Sequence, residues 1–188
     1  FKQCGLNVPE GFEDLKNEDE IINALSELKI NNPSLRKAVV KMNDGFSGEG
    51  NAIFSFAEMS DKDECRKWVA DNLEAKLKMV AGDLSYKDFM FKFQHMGGIA
   101  EAFVEGDIKT SPSAQCRINP LGDCKVISTH DQVVGGESGQ VFLGAHFPAA
   151  EDYAIEIGEA GKKVAEALAK SNVMGRFAVD FISVKEKT

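Results

Sequence analysis

A lysine followed by a glycine-rich loop lies within residues 37–56, where the sequence reads KAVVKMNDGFSGEGNAIFSF. Lys41 comes near the end of an apolar, β-branched run, and Gly45, Gly48 and Gly50 follow before a second apolar run begins. A lysine ammonium and clustered backbone N–H groups are two common means of holding phosphate. The segment therefore predicts two strands joined by a phosphate-binding loop, and an ordinary hairpin with a surface lysine is the alternative.

The order of these parts argues against three common nucleotide folds. The loop lacks GK[ST] and precedes a strand, whereas a P-loop and a dinucleotide-binding turn both open a helix. In protein kinases the lysine strand follows the glycine loop, but here Lys41 precedes it. A strand–loop–strand flap that grips phosphate remains.

A single carboxylate, Asp180, interrupts the apolar run GRFAVDFISV. This run predicts a last strand over residues 175–184. An unpaired buried carboxylate is costly, so we expect Asp180 to face a cleft, a cation or an arginine. Mg²⁺ would suit it, because this ion takes one or two carboxylates together with phosphate oxygens. A structural ion pair with Arg176 or a distant lysine is the alternative.

Two further segments carry polar side chains that could line a cleft. In an extended SPSAQCRI strand one face presents Ser111, Ser113, Gln115 and Arg117. Such a row can simply face solvent, or it can aim Arg117 at a phosphate or a carboxylate. In STHDQ we expect His130 and Asp131 to lie just beyond a strand. A proton-transfer role for His130 and a hydrogen bond that anchors the loop are both open.

Hydrophobic periodicity predicts the elements that position these residues. Asn17 is a plausible N-cap for the first helix, and Ser60 with Asp63 is expected to open the second. Helices are predicted over 17–29, 60–82 and 148–173, strands over 37–42, 51–56 and 175–184, and successive strands over 97–129 with turns at 105–106 and 119–123. Strands and helices mix without a repeating βα alternation, which indicates an α+β fold.

Composition limits the classes of function. The 188 residues, 43% of them hydrophobic, suffice for one globular domain or for two small lobes. A net charge of −8 disfavours nucleic acid and anionic membranes as partners, and no apolar run approaches a membrane span. The four scattered cysteines are expected to be free thiols in a cytosolic protein. The N-terminus resembles no signal peptide and lacks an initiator Met, so we expect a fragment of a longer chain.

Taken in order, these segments resemble the ATP-grasp superfamily of carboxylate–amine ligases. AVVKMNDGFSGEGNA resembles its lysine strand and phosphate-covering loop, GGIAEAFVEG its adenine hinge, and GRFAVDF the strand with its first metal-binding acid. Four segments are most similar to the pheganomycin-type peptide ligase family, namely GFSGEGNA, KTSPSAQCRI, STHDQ and GRFAVDF. The resemblance covers nearly the whole chain. It implies an ATP-grasp fold of two α+β lobes, over 1–100 and 101–188, with the second truncated at its C-terminal edge.

The resemblance also implies roles for individual residues. Lys41 would contact the α and β phosphates of ATP, the loop backbone would cover the β and γ phosphates, and the hinge would meet the adenine. The loop residues are Ser47, Gly48, Glu49, Gly50 and Asn51, and the hinge residues are Glu101, Ala102, Phe103 and Val104. Asp180 would bind Mg²⁺, and Arg117 and His130 are the candidate catalytic residues.

Three departures from the superfamily pattern concern residues of the site. Asp107 in GDIKT is the only nearby acid for the ribose. The second lysine of many relatives belongs to a segment upstream of this sequence. The Glu-x-Asn metal motif and its following arginine belong to a strand beyond Thr188. This chain is therefore expected to be incomplete by itself.

The function expected from the resemblance is that of a cytoplasmic, ATP- and Mg²⁺-dependent carboxylate–amine (peptide) ligase domain. It would act through an acyl phosphate on small-molecule or peptide carboxylates and amines. One alternative is a non-catalytic ATP-binding or regulatory module of a larger protein. Another is an ATP-grasp kinase that phosphorylates a hydroxyl group.

Overall fold

The computed structural model describes residues 1–45, 50–57, 64–80, 84–135 and 141–185. The chain forms two compact units. The first unit is formed mainly by Pro9–Val104, and the second by Phe1–Val8, Glu105–Gly135 and Phe142–Thr188. The predicted lobe boundaries, 1–100 and 101–188, stay a prediction.

The first unit is a five-stranded antiparallel sheet with helices packed on one face. Its elements are β1 Gly11–Leu15, α1 Glu18–Asn31, β2 Lys37–Met42, β3 Asn51–Ser55, α2 Cys65–Lys76, β4 Leu77–Met79, α3 Tyr86–Met96 and β5 Gly98–Ala102. The strand order is β1-β5-β2-β3-β4. The predicted strands on either side of the glycine loop are confirmed, since β2 matches its predicted bounds and β3 ends one residue earlier.

The two faces of this sheet differ because side chains alternate along each strand. On β2, Ala38, Val40 and Met42 belong to the hydrophobic core with the helices. Phe54 of β3 is fully buried in the same core, and burying a side chain of this size stabilises the fold by roughly 1.5–3 kcal/mol. Lys41 belongs to the alternate set of β2 residues and therefore projects from the opposite face, on which Val39 is buried.

Capping determines where the helices of this unit begin. The Asn17 side chain accepts a hydrogen bond from the Glu20 amide at 2.9 Å, which confirms the predicted N-cap of α1. α3 is not predicted by the patterns above, although its signals exist. Ser85 accepts from the Asp88 amide at 3.1 Å, and Phe89 and Phe93 are fully buried at helical spacing.

The predicted helix over 60–82 is wrong at its C-terminal end. α2 ends at Lys76, and Leu77–Met79 forms β4 on the edge of β3. Leu77 lies opposite Phe54, and the Val80 amide donates to the Asn51 carbonyl at 2.9 Å. The sheet edge thus supplies hydrogen bonds that compete with further helical turns. Ser60, Asp63 and Gly82 lie outside the described residues.

The second unit is an antiparallel sheet with one long helix. Its elements are a short 3₁₀ helix Lys2–Cys4, β6 Ile108–Ile118, β7 Cys124–Gly135, β8 Val141–His146, α4 Glu151–Lys170, β9 Gly175–Asp180 and β10 Ser183–Lys185. The strand order is β10-β6-β7-β8, and β9 also pairs with β6. The turn at 119–123 is confirmed, since Asn119 Oδ1 accepts from the amides of Leu121 and Asp123, both at 2.9 Å.

α4 packs on one face of this second sheet. It lies within the predicted 148–173, and its residues Ile157, Val164 and Ala165 are buried. Gly161 permits the close approach, because a Cβ there would lie 3.0 Å from Ala114 Cβ and 3.1 Å from Cys116 Sγ. These contacts leave the other face of the sheet to polar residues of β6, β7 and β9.

The predicted strand over 175–184 consists of two short strands. β9 and β10 pair with successive parts of the same edge of β6. Between them the Phe181 amide donates to the Pro112 carbonyl at 2.8 Å. Both units combine helices with antiparallel strands, which confirms the α+β class. No helix in the described ranges is long and apolar enough to cross a membrane.

Candidate functional site

Lys41 of β2 forms an ion pair with Glu101 of β5 on the face of the first sheet opposite the helices. In the register Val39 lies opposite Glu101 and Lys41 opposite Ile99, so the two charged residues are diagonal neighbours. Their side chains are 34% and 16% exposed, respectively. The ammonium therefore remains accessible from solvent, and the carboxylate beneath it keeps it in place.

The glycine loop lies directly beyond Lys41. Asn51 is the register partner of Lys41 on β3, so both ends of the loop meet at this lysine. Gly50 is buried with φ +88, and a Cβ there would lie 3.2 Å from Met42 Cε. The left-handed backbone conformation thus favours glycine at this position, and a side chain would also press on Met42. Ser47, Gly48 and Glu49 lie outside the described residues.

The hinge residues follow Glu101 at the end of β5. The Ala102 amide donates to the Glu10 carbonyl at 2.8 Å, and the Phe103 amide donates to the Lys37 carbonyl at 3.1 Å. The Lys37 ammonium also lies 5.7 Å from the centroid of the Phe103 ring. The amides of Ala102 and Phe103 are therefore engaged with neighbouring main chain.

Asp180 lies in a polar row across three strands of the second unit. Ser113 of β6 is opposite both Asp180 of β9 and His130 of β7, so the three side chains share a face. Asp180 was expected to face a cleft, a cation or an arginine, and it is exposed at the last position of β9. The alternation along β9 explains this, because Val179 is buried on the side of α4 and Asp180 takes the other side. The alternative ion pair with Arg176 is not formed, since Arg176 lies four residues away at the other end of β9.

His130 lies within β7, so the prediction that it follows a strand is wrong. β7 continues to Gly135, because residues up to Gln132 pair with β6. His130 Nε2 is 2.9 Å from Ser128 Oγ, and the ring meets Phe147 edge-on with centroids 5.4 Å apart. These contacts fix the imidazole in the row with Asp180.

Asp131 points to the opposite face and has a structural role. Its carboxylate accepts from the Ala150 amide at 2.9 Å and from the Tyr153 hydroxyl at 2.6 Å, at the N-terminus of α4. Desolvation, together with the hydrogen bond to Asp131, raises the pKa of Tyr153 above its ordinary value. His130 and Asp131 were both predicted to follow a strand, but both lie within β7 and project from different faces of it.

Arg117 is exposed near the far end of β6, outside the Asp180 row. Its cross-strand neighbours are Lys125 of β7 and Arg176 of β9. No sequence motif marks Lys125, although the predicted turn at 119–123 implies its pairing with Arg117. The structure thus brings Lys41 together with Glu101, and Asp180 with His130, while Arg117 belongs to a separate basic group. Within the described residues there is no group of three or more His, Cys, Asp or Glu side chains that could hold a metal ion.

The fold of this chain matches those of two solved structures over nearly its whole length. The biotin carboxylase domain of Hydrogenobacter thermophilus 2-oxoglutarate carboxylase, solved with MgADP, ADP and bicarbonate, matches 98% of this chain and 35% of that chain, with TM-score 0.61 and 14% identity. An ADP complex of N5-carboxyaminoimidazole ribonucleotide synthetase matches 97% of this chain and 38% of that chain, with TM-score 0.58 and 18% identity. At these identities the likeness establishes the fold alone.

The chain belongs to the IQCH-like ATP-grasp family, which matches residues 1–81 and 84–188. It is 30% identical over 188 residues to the L-propargylglycine–L-glutamate ligase of Streptantibioticus cattleyicolor, covering 98% of this chain and 36% of that protein. It is 20% identical over 210 residues to IQ motif-containing protein H of Danio rerio, covering 97% of this chain and 20% of that protein. The chain therefore spans about a third or less of these relatives, and the resemblance to ATP-grasp proteins is confirmed.

Proposed function

We propose that this chain is the nucleotide-binding part of an ATP- and Mg²⁺-dependent carboxylate–amine (peptide) ligase. The observation that carries the proposal is the accessible Lys41 ammonium, held by Glu101 beside the glycine loop of an ATP-grasp fold. The ligase at 30% identity supports the type of reaction. The two lobes would be residues 1–100 and 101–188 of a cytoplasmic protein.

In this proposal the first unit binds the nucleotide. The Lys41 ammonium contacts the α and β phosphates, and backbone N–H groups of residues 47–51 cover the β and γ phosphates. The Glu101 side chain and the main chain of Ala102 and Val104 meet the adenine edge, with Phe103 beside the ring. Because the Ala102 amide already donates to the Glu10 carbonyl, the carbonyl oxygen of Ala102 would be the atom that meets the base.

Asp180 would hold Mg²⁺ together with phosphate oxygens and water. A hard carboxylate oxygen suits this ion, and the exposure of Asp180 leaves room for the phosphates. Held at Asp180, Mg²⁺ would supply positive charge to offset that of the transferred phosphoryl group. His130, in the same row, would take a proton from the attacking amine, and Arg117 would bind a carboxylate or a phosphate.

The reaction would proceed in two displacements. The substrate carboxylate would attack the γ-phosphorus of ATP. The bond between this phosphorus and the oxygen that bridges it to the β-phosphate would break, so that an acyl phosphate forms and ADP leaves. The amine then attacks the acyl carbon, phosphate departs, and the amine proton passes to a base. Positioning and charge neutralisation supply most of the catalysis in such transfers.

Calorimetry of ATP and ADP with the 188-residue chain, with and without Mg²⁺, tests nucleotide binding. Mg²⁺-strengthened ATP binding is expected, and absence of nucleotide binding would contradict the proposal for this chain. The reaction type is tested on the longer protein with hydroxylamine as the acceptor. Hydroxamate formation identifies an acyl phosphate, whereas a kinase that phosphorylates a hydroxyl group yields none.

A second candidate function is a non-catalytic ATP-binding module. It is the alternative that the sequence leaves open, and the chain also matches IQ motif-containing protein H at 20% identity. Such a module would bind nucleotide and give no hydroxamate with any amino acid offered as the carboxylate. The two experiments together therefore separate the ligase from the module.

A further inference from the structure

Three basic residues lie side by side across the second sheet. Arg117 of β6 is the register partner of Arg176 on β9 and of Lys125 on β7. Directly opposed residues of antiparallel strands project from the same face, here the face away from α4. All three side chains are exposed. We call Arg176, Arg117 and Lys125 the basic row.

The basic row has no countercharge among the described residues. Like charges directly opposite each other destabilise a sheet, since their Cβ atoms are only about 4.5–5.5 Å apart. None of the three forms an ion pair with a residue in the described ranges. Asp123, two residues from Lys125, instead accepts from the Asn119 side-chain amide at 2.8 Å. An anion bound across the row would relieve this repulsion.

The position of the basic row separates it from the predicted phosphate-transfer residues. Arg117 is four residues from Ser113 on β6, and Arg176 is four residues from Asp180 on β9. At about 3.3 Å per residue the two rows lie about 13 Å apart on one face. This distance equals about four extended residues, so the basic row would meet a different part of the substrate than Asp180 does.

We propose that the basic row binds a second carboxylate of the acyl substrate. This second carboxylate is distant from the carboxylate that is activated. The proposal rests on the proposed ligase function for the identity of the ligand. Two planar guanidinium groups match the two oxygens of a carboxylate, and the lysine adds a point charge. Because the rows are about 13 Å apart, the favoured substrate is an acidic peptide rather than a single amino acid.

The experiment uses the 188-residue chain with glutarate as the anionic probe and glutaramide as its neutral control, followed by amide NMR shifts. Millimolar glutarate is expected to shift residues around the basic row, and glutaramide is not. Arg117→Gln and Arg176→Gln should each weaken glutarate binding about fivefold, because each removes a charge-assisted contact. Lys163→Gln removes one exposed positive charge from α4 and should change the affinity less than twofold.

Each other outcome overturns the proposal. No shift up to about 20 mM glutarate, an equal loss in Lys163→Gln, or shifts centred on Asp180 would exclude a carboxylate site at the basic row. Inorganic phosphate binding more than tenfold tighter than glutarate would make this a phosphate site instead. Nucleotide binding is measured separately on the unmodified chain. A chain that binds ADP but not glutarate contradicts only this inference, and one that binds glutarate but no nucleotide contradicts the proposed function.

Discussion

Lys41 and Glu101 form an ion pair across two adjacent strands although 60 residues separate them in the chain. The sequence resemblance assigns them to different parts of the nucleotide, the phosphates and the adenine. The structure adds a direct link between the lysine proposed to bind phosphate and the hinge. A nucleotide that draws the ammonium toward its phosphates would release Glu101 to the base.

Replacing Lys41 by Met should weaken ATP binding about tenfold or more, because a charge-assisted contact to phosphate is lost while the apolar stem is kept. Calorimetry measures the change. Lys67→Met, an exposed lysine on α2, is the matched control and should bind ATP normally. The double variant Lys41→Met with Glu101→Gln tests whether an unpaired Glu101 causes the loss of affinity. Recovery of ATP affinity in the double variant would contradict the phosphate role of Lys41.

Replacing Asp180 by Asn should remove the strengthening of ATP binding by Mg²⁺ and leave the fold intact. The side chain is exposed, so the melting temperature should change by no more than about 2 °C. Binding is compared at several Mg²⁺ concentrations, with the exposed Asp71→Asn of α2 as control. A large fall in melting temperature would instead identify Asp180 as a structural residue.

Replacing Phe54 by Ala should lower the free energy of unfolding of the first unit by about 3–5 kcal/mol. Phe54 is fully buried between β3 and the helices, and its ring meets Trp68 at 6.1 Å between centroids. Phe91→Ala is the control, since that ring is 64% exposed and its loss should cost about 0.5 kcal/mol or less. Urea unfolding measures both, and equal effects would contradict the assignment of the core.

Stability should fall at alkaline pH because of Tyr86. Burial, with added repulsion from Glu18 and Glu74, raises the pKa of its hydroxyl in the folded chain. The unfolded tyrosine ionises near pH 10, so above that pH the unfolded chain binds fewer protons than the folded one and gains stability relative to it. The free energy of unfolding should fall with pH less steeply in Tyr86→Phe than in the unmodified chain. The range to measure is about pH 9 to 11, which spans the ordinary tyrosine pKa. Identical slopes in the two chains would exclude Tyr86 as the cause. Tyr153→Phe measures the separate contribution of the other tyrosine, whose pKa is also raised.

Several elements follow from local sequence alone. The Asn17 cap and the apolar spacing after it specify α1, and the apolar runs on either side of the glycine loop specify β2 and β3. The Asn119 turn follows from side-chain hydrogen bonds to amides within five residues. The ordered motifs likewise specified the ATP-grasp family without any knowledge of contacts. The roles of the individual nucleotide, metal and catalytic residues stay predictions.

Tertiary structure decided what local patterns could not. Leu77–Met79 continues a helical pattern but pairs with β3, because a sheet edge offered hydrogen bonds there. Asp180 is exposed because α4 covers only the Val179 face of β9, and the alternation in GRFAVDF does not by itself show which face is covered. The meeting of Lys41 with Glu101 and of Arg117 with Arg176 depends on strand register between segments about 60 residues apart. Sequence patterns reveal which residues can do chemistry, whereas long-range pairing determines which of them act together.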